Sequence, residues 1–232
     1  MKNIQFYVIG QALYTNLLCE EISMSFKWES INKYARQIVE NISHESVDVY
    51  LFLSNEFQKS DVRYNYLFKF VFRSFYRLDN AGLTDEFKDR YFELLEEARD
   101  LENIDFKYLS RELYKYPNRK GNKTLQFSFI SKLANTVEPS FPLYDSGVAS
   151  LYGFSHPHNY KSFDVRLSEY LQFYTILKSD YEKALSKSTL RNALNEFEGA
   201  FQRKASKVPI VKKIDFLLWS AGKLKLSKNL SI

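Results

Sequence analysis

Apolar residues recur every three or four positions over most of this 232-residue chain, which is the spacing of amphipathic helices. The aromatic segment 64–72 has the composition of a buried strand, but polar residues continue it at helical spacing. Glycine and proline are few, with 7 and 5 residues, so turn-rich sheets are disfavoured. We therefore predict an all-α fold, a helical bundle. The predicted helices cover 28–39, 47–53, 64–78, a segment capped by Thr84, 106–116, 123–137, 146–151, 165–177, 181–200 and 209–219.

Composition excludes several classes of protein. Hydrophobic residues make up 45% of the chain, which is normal for a globular domain. The single cysteine, Cys19, excludes a disulfide framework and a multi-cysteine metal site. His156 and His158 share a loop without a suitable third ligand, so we expect no metal. The apolar stretch 4–18 is interrupted by polar residues and lacks a cleavage site, so we expect a cytoplasmic protein without membrane contact.

The charges are distributed unevenly between the two halves of the chain. Residues 111–232 carry 20 Lys and Arg against 10 Asp and Glu, a net charge of +10, whereas residues 1–110 carry 13 against 18, a net charge of −5. One basic face suggests a polyanionic partner such as DNA. A solvated lysine-rich tail is the alternative interpretation.

A basic loop separates two predicted helices in the basic half. Pro117 ends the helix 106–116, and the loop 117–122 contains Arg119, Lys120 and Gly121. A tight hairpin between two helices exposes backbone N–H groups, which can hold a DNA phosphate together with the basic side chains. The sequence thus predicts a helix-hairpin-helix element, or alternatively an ordinary solvated loop. We expect one domain, 1–232, with an N-terminal helical half, 1–104, and a catalytic half, 105–232.

Two residues at predicted helix starts could do chemistry together. Lys123 begins the helix 123–137, where the helix dipole and apolar neighbours favour a neutral, nucleophilic amine. Asp145 precedes the helix 146–151, whose free N–H groups would hold its carboxylate ionised. Lys132, nine residues after Lys123, is a rival amine. A surface lysine and a helix-capping aspartate are the simpler interpretations of the pair.

These segments resemble the core of the helix-hairpin-helix DNA glycosylases. The run Lys123-Thr124 followed by apolar residues, and the run Pro142-Leu143-Tyr144-Asp145, are similar to those of archaeal 8-oxoguanine glycosylases and of bacterial proteins that share their fold. The resemblance extends over residues 105–225. It implies that Lys123 forms a Schiff base with the deoxyribose and that Asp145 is the catalytic aspartate.

The resemblance also implies a pocket for the damaged base. Phe127 and Trp219 would stack on the base, Asp215 would bind its edge, and Gln11 would read it from the first helix. The expected activity is excision of an oxidised purine, 8-oxoguanine, with AP lyase activity and no cofactor. The expected protein is a monomer bound to double-stranded or damaged DNA. Two alternatives remain open, which are a non-catalytic DNA-binding or phage-defence protein with the same fold, and a glycosylase for another base.

Overall fold

The structure, a computed structural model, describes residues 28–226. Gln11 and Cys19 lie outside this range. Between residues 28 and 226 the chain forms eleven α-helices and no β-strand, so the predicted all-α class is confirmed. None of these helices is both long and apolar enough to cross a membrane. The helices are α1 Trp28–Lys33, α2 Ala35–Glu40, α3 His44–Lys59, α4 Tyr66–Phe75, α5 Asp85–Glu97, α6 Phe106–Tyr114, α7 Phe127–Val137, α8 Ser146–Leu151, α9 Phe163–Ser186, α10 Arg191–Phe201 and α11 Ile210–Leu226.

The C-terminal helix α11 lies at the centre of the packing. It contacts α8 most extensively and also packs against α2 and α10, while α5, α6 and α7 pack against one another. The Ser220 hydroxyl on α11 donates to the Ile38 carbonyl of α2 at 2.6 Å and accepts from the Asn41 side chain at 3.0 Å. Helices from both ends of the described chain therefore hold α11 in place.

Two glycines set the separation of α8 and α11. A Cβ atom added to Gly222 would lie 2.7 Å from the carbonyl carbon of Gly147, so the two backbones touch. Gly147 comes two residues after Asp145, and the Asp145 side chain caps α8 by accepting from the Val148 N–H at 2.8 Å. This contact therefore fixes the position of Asp145 relative to α11.

Several features of the predicted helices are confirmed. Residues 66–72 of the aromatic segment are helical, in α4, which Asn65 caps by accepting from the Phe68 N–H, and Thr84 caps α5 by accepting from the Phe87 N–H. Helix α8 covers the predicted residues 146–151. Each of these starts has a polar side chain that satisfies an N–H group of the first turn, which is the feature that sequence patterns report best.

Other predicted boundaries are wrong. The helix predicted over 28–39 is divided into α1 and α2, and the helix predicted over 47–53 is part of the longer α3. Helix α7 begins at Phe127 and not at Lys123, because a side-chain bond from Gln126 to the Thr124 hydroxyl at 2.7 Å favours a non-helical turn there. Helix α9 is continuous through 178–180, where a break was predicted, because its buried stripe continues through Tyr181 and Ala184. The chain leaves α9 at Ser188, in the left-handed conformation with φ 52°.

We predict that Gly222→Ala destabilises the protein by about 1–3 kcal/mol, because the new methyl group would overlap the Gly147 backbone. Gly199→Ala is the matched control, since Gly199 lies on an exposed face of α10 with no atom within 4 Å of an added Cβ. That change should stabilise by about 0.5–1 kcal/mol. Urea unfolding measures both, and equal effects would contradict the close approach of α8 and α11.

Candidate functional site

Lys132 projects from the middle of α7 towards two aromatic rings. Its ammonium lies 4.7 Å from the centre of the Phe129 ring and 5.8 Å from that of Tyr76. The amine donates to the Ser128 hydroxyl at 3.0 Å and to the Tyr76 carbonyl at 3.4 Å. Lys132 is half-buried as a residue, and its amine lies among aromatic rings.

The amine of Lys132 has no carboxylate within ion-pair distance among residues 28–226, which is unusual for a lysine in such a place. Two other lysines with little exposure, Lys88 and Lys213, are paired directly with carboxylates. Lys88 contacts Asp79 at 3.2 Å and Asp85 at 2.7 Å, and Lys213 is paired with Glu198. Only neutral oxygen atoms receive the hydrogen bonds of the Lys132 amine.

This environment favours the neutral amine of Lys132. Burial lowers the pKa of Lys132 to about 8, and the positive charges of Lys212 and Arg77 act in the same direction. The carboxylate of Asp145 opposes them and raises it. With a pKa of about 8, roughly half of the amines are neutral at pH 8, compared with about 0.3% for an ordinary lysine. A nucleophilic amine is therefore available near neutral pH.

Asp145 stands where the sequence predicts it, at the start of α8. Its carboxylate caps the helix, and its negative charge acts to raise the pKa of Lys132, Lys212 and Lys223. One carboxylate thus faces several cations from two helices. It can stabilise positive charge that develops at a reacting carbon near the Lys132 amine.

Asp215 lies in the core rather than at the surface of a cleft. It is 3% exposed, and its carboxylate accepts from the Leu143 N–H at 2.9 Å and the Tyr181 hydroxyl at 3.0 Å. Burial raises the pKa of Asp215, whereas the neighbouring ammonium of Lys212 lowers it. Both oxygens also serve protein donors, since the Asn135 amide reaches the second one at 3.5 Å.

Lys212, one turn before Asp215 on α11, is a second amine in an apolar surround. It is 2% exposed, and burial lowers its pKa while Asp215 and Asp145 raise it. Its ammonium lies 5.6 Å from the centre of the Tyr76 ring, the ring that Lys132 also contacts. Because Lys212 is sealed from solvent, it can influence Lys132 electrostatically but cannot reach a large substrate.

Phe127, predicted to stack on a base, is packed among other rings. It is 1% exposed and stacks on Tyr170 with 5.0 Å between ring centres and an angle of 7°. Tyr144 meets the same ring edge-on at 5.4 Å, and Phe106 lies at 6.0 Å. This position makes Phe127 a core residue of α7 in the structure.

Trp219, the other predicted stacking residue, is half-buried on α11. The Lys223 ammonium lies 4.0 Å from the centre of its ring. Burial and the nearby charge of Arg77 lower the pKa of Lys223, while Asp145 raises it. Trp219 therefore belongs to the same cationic neighbourhood as Lys132, and Phe127 lies apart from it in the core.

The basic loop 117–122 is held together by its own hydrogen bonds. The Asn118 side chain accepts from the N–H groups of Lys120 and Asn122, both at 3.0 Å, and the Arg119 N–H donates to the Gly82 carbonyl at 2.8 Å. Gly121 supplies the required left-handed turn, with φ 78°. These N–H groups are occupied inside the protein, so the exposed side chains are the free donors of the loop.

Lys123 follows this loop and is exposed to solvent, four residues before α7 begins. The predicted apolar surround and helix start are therefore absent at Lys123, and Lys132 has the apolar surround instead.

Residues 28–226 contain no group of three metal-ligating side chains. Sequence reasoning named Lys132 only as a rival amine and missed Arg77, Lys212 and Lys223. The placement of lysines within the apolar stripes of α7 and α11 was the available indication.

Comparison with known proteins identifies no relative of this chain. No family model matches the chain, and no curated protein and no solved structure matches it either.

Proposed function

We propose that the protein is a DNA glycosylase with AP lyase activity whose nucleophile is the amine of Lys132. The observation that carries the proposal is the half-buried amine without an ion-pair partner, with its lowered pKa and a helix-capping carboxylate close enough to influence it. A lysine kept neutral by burial and by cationic neighbours is suited to attack on carbon. The basic half of the chain supports a polyanionic substrate.

The reaction begins with a damaged nucleotide that is rotated out of the duplex. The neutral amine of Lys132 attacks C1′ of the deoxyribose while the bond from C1′ to the base breaks, and the base leaves with its electron pair and takes up a proton. Loss of a proton from nitrogen and opening of the sugar ring give the protonated Schiff base. Removal of a C2′ proton then expels the 3′ phosphate, which cleaves the strand.

Asp145 is proposed to stabilise the cationic stages of this sequence. The sugar becomes positive as the base leaves, and the Schiff base nitrogen is positive afterwards. A carboxylate held by the first turn of α8 is already oriented and needs no rearrangement. Asp215 is proposed as a positioning residue, because its bond to the Leu143 N–H holds the segment that leads to Asp145.

The helix pair α6–α7 is proposed to act as a helix-hairpin-helix element. Its connection, 115–126, contains the exposed basic residues Arg119, Lys120 and Lys123. Their side chains are the groups suited to bind phosphates of the DNA backbone. Gly121 allows the left-handed backbone turn between Lys120 and Lys123.

A non-catalytic DNA-binding protein is the second candidate function. The packing of Phe127 among Tyr170, Tyr144 and Phe106 favours it, since this residue would have to leave the core to stack on a base. The occupied carboxylate of Asp215 points in the same direction. If the reaction occurs, the base must be held by other groups, and half-buried Trp219 is the remaining predicted one among residues 28–226.

We expect borohydride to trap a covalent adduct between the protein and a duplex that contains 8-oxoguanine or an abasic site. Lys132→Gln should abolish the adduct, because it removes the attacking amine. Asp145→Asn should slow its formation by about 100- to 1,000-fold, because it removes the stabilising charge. Denaturing electrophoresis of the trapped complex measures the yield.

Lys123→Gln is the matched control for this experiment, since it removes an exposed lysine from the loop before the same helix. Its adduct yield should remain within about twofold of the wild type when DNA is saturating. An adduct lost with Lys123→Gln and kept with Lys132→Gln would move the nucleophile to the loop. A wild-type protein that binds DNA but gives no adduct on any lesion would favour the binding protein.

The rate of trapping should depend on the charge of Lys132. We expect the rate to rise with pH through a midpoint of about 8, as the amine loses its proton. Lys212→Met removes a neighbouring positive charge, so the pKa of Lys132 should rise and the midpoint should move up by about half a pH unit. Lys213→Met is the control, because Lys213 is paired with Glu198 instead. A midpoint that does not move with Lys212→Met would show that the two amines are uncoupled.

A further inference from the structure

Arg77 occupies a backbone position that favours glycine. It follows α4 with φ 60°, in the left-handed region. The helix ends there with two closing bonds, from the Leu78 N–H to the Arg73 carbonyl at 2.9 Å and from the Arg77 N–H to the Ser74 carbonyl at 3.2 Å. Glycine is the usual residue at this point of such a helix end, because a side chain there is strained. An arginine at this place suggests that its side chain serves another purpose.

The position of Arg77 is next to the candidate nucleophile. The carbonyl of Tyr76, which belongs to the peptide bond between Tyr76 and Arg77, accepts the hydrogen bond from the Lys132 amine at 3.4 Å. The side chain of Arg77 is exposed, and no carboxylate of residues 28–226 lies within ion-pair distance of it. Arg77 is therefore an exposed guanidinium without an ion-pair partner among these residues, and its backbone adjoins the carbonyl that Lys132 binds.

The same short segment reaches the basic loop. After Arg77 the chain makes a 3₁₀ turn, Asp79–Ala81, and then contacts the loop where the Gly82 carbonyl accepts from the Arg119 N–H at 2.8 Å. Arg77 thus lies in a segment that contacts Lys132 through the Tyr76 carbonyl and contacts the loop of Arg119 and Lys120 through the Gly82 carbonyl. A DNA strand that contacted both Lys132 and the loop 117–122 would pass this segment.

Repulsion among the cations near Lys132 also points to an anionic ligand. The charge of Arg77 acts on Lys132 and on Lys223, and the carboxylate of Asp145 opposes it at both lysines. A phosphate would relieve this repulsion, and the planar guanidinium can bind its oxygens in pairs.

We propose that Arg77 binds a backbone phosphate next to the nucleotide that Lys132 attacks. The inference rests on the proposed function for the identity of the nucleotide. The arginine places the sugar against the amine by holding the phosphate, and its strained backbone is the cost of presenting the side chain at this point. It takes no part in bond making.

The experiment measures the salt dependence of DNA binding by Arg77→Gly, Arg77→Lys and the wild type. The probe is a duplex with a tetrahydrofuran abasic analogue, which cannot react, and the readout is fluorescence anisotropy over a range of KCl concentrations. Arg77→Gly should reduce the slope of log affinity against log salt by about one, because one phosphate contact is lost. Arg77→Lys should retain the slope, since it keeps the charge.

Ser188→Gly is the matched control for the backbone. Ser188 follows α9 with the same two closing bonds, from the Thr189 N–H to the Ala184 carbonyl at 3.1 Å and from the Ser188 N–H to the Leu185 carbonyl at 3.2 Å. Both glycine variants should keep or raise the melting temperature, and only Arg77→Gly should change the salt slope. A lower melting temperature with an unchanged slope would make Arg77 a structural residue and overturn the proposal.

The outcomes also separate this proposal from the reaction. An adduct trapped by the wild type together with an unchanged slope for Arg77→Gly would overturn the role of Arg77 alone. A reduced slope without any trapped adduct would support the phosphate contact and contradict the lysine chemistry. A wild-type protein with no affinity for the duplex would overturn both.

Discussion

The segment 138–145 between α7 and α8 is held by a hydrogen bond at almost every residue, and the candidate site depends on it. Asp215 of α11 accepts from the Leu143 N–H, Ser131 of α7 bonds both backbone groups of Tyr144, and the Tyr174 hydroxyl of α9 donates to the Pro142 carbonyl at 2.7 Å. Buried polar groups must be paired in this way, because an unpaired one costs about 1–3 kcal/mol. These bonds fix the backbone of the segment, and they therefore fix the position of Asp145 at the start of α8.

Helices α7 and α11 each bring an unpaired lysine towards this carboxylate. Lys132 is half-buried and Lys212 is almost fully buried, and both ammonium groups lie near the ring of Tyr76. Placing two amines in an apolar surround costs stability, since each favours its neutral form there. Proteins commonly accept such a cost at functional sites. The contrast with Lys88 and Lys213, which have direct carboxylate partners, sets this pair apart.

Local sequence patterns were sufficient for the all-α class and for the place of Asp145 at a helix start. A helix cap is a local feature, and the Asp145 carboxylate caps α8 as predicted. Lys123 was favoured over Lys132 by the resemblance and by a predicted helix start that lies four residues before the observed one, where the Thr124 turn precedes the helix. Spacing gave Arg77 no role, because its proposed role depends on a left-handed backbone and on the contact of the adjacent Tyr76 carbonyl with a lysine 56 residues away in sequence. Packing between distant segments, and not local pattern, decides which lysine is buried.

The most direct test of the central claim is to identify the lysine that carries the sugar. Borohydride-reduced protein–DNA adduct can be digested with nuclease and protease, and the modified peptide can be sequenced by mass spectrometry. If Lys132 is the nucleophile, a deoxyribose-derived mass will be found on Lys132, within the peptide that contains α7. The same mass on Lys123 would contradict the assignment of the nucleophile, and the absence of any sugar-modified lysine in a protein that binds the duplex would contradict the catalytic account as a whole.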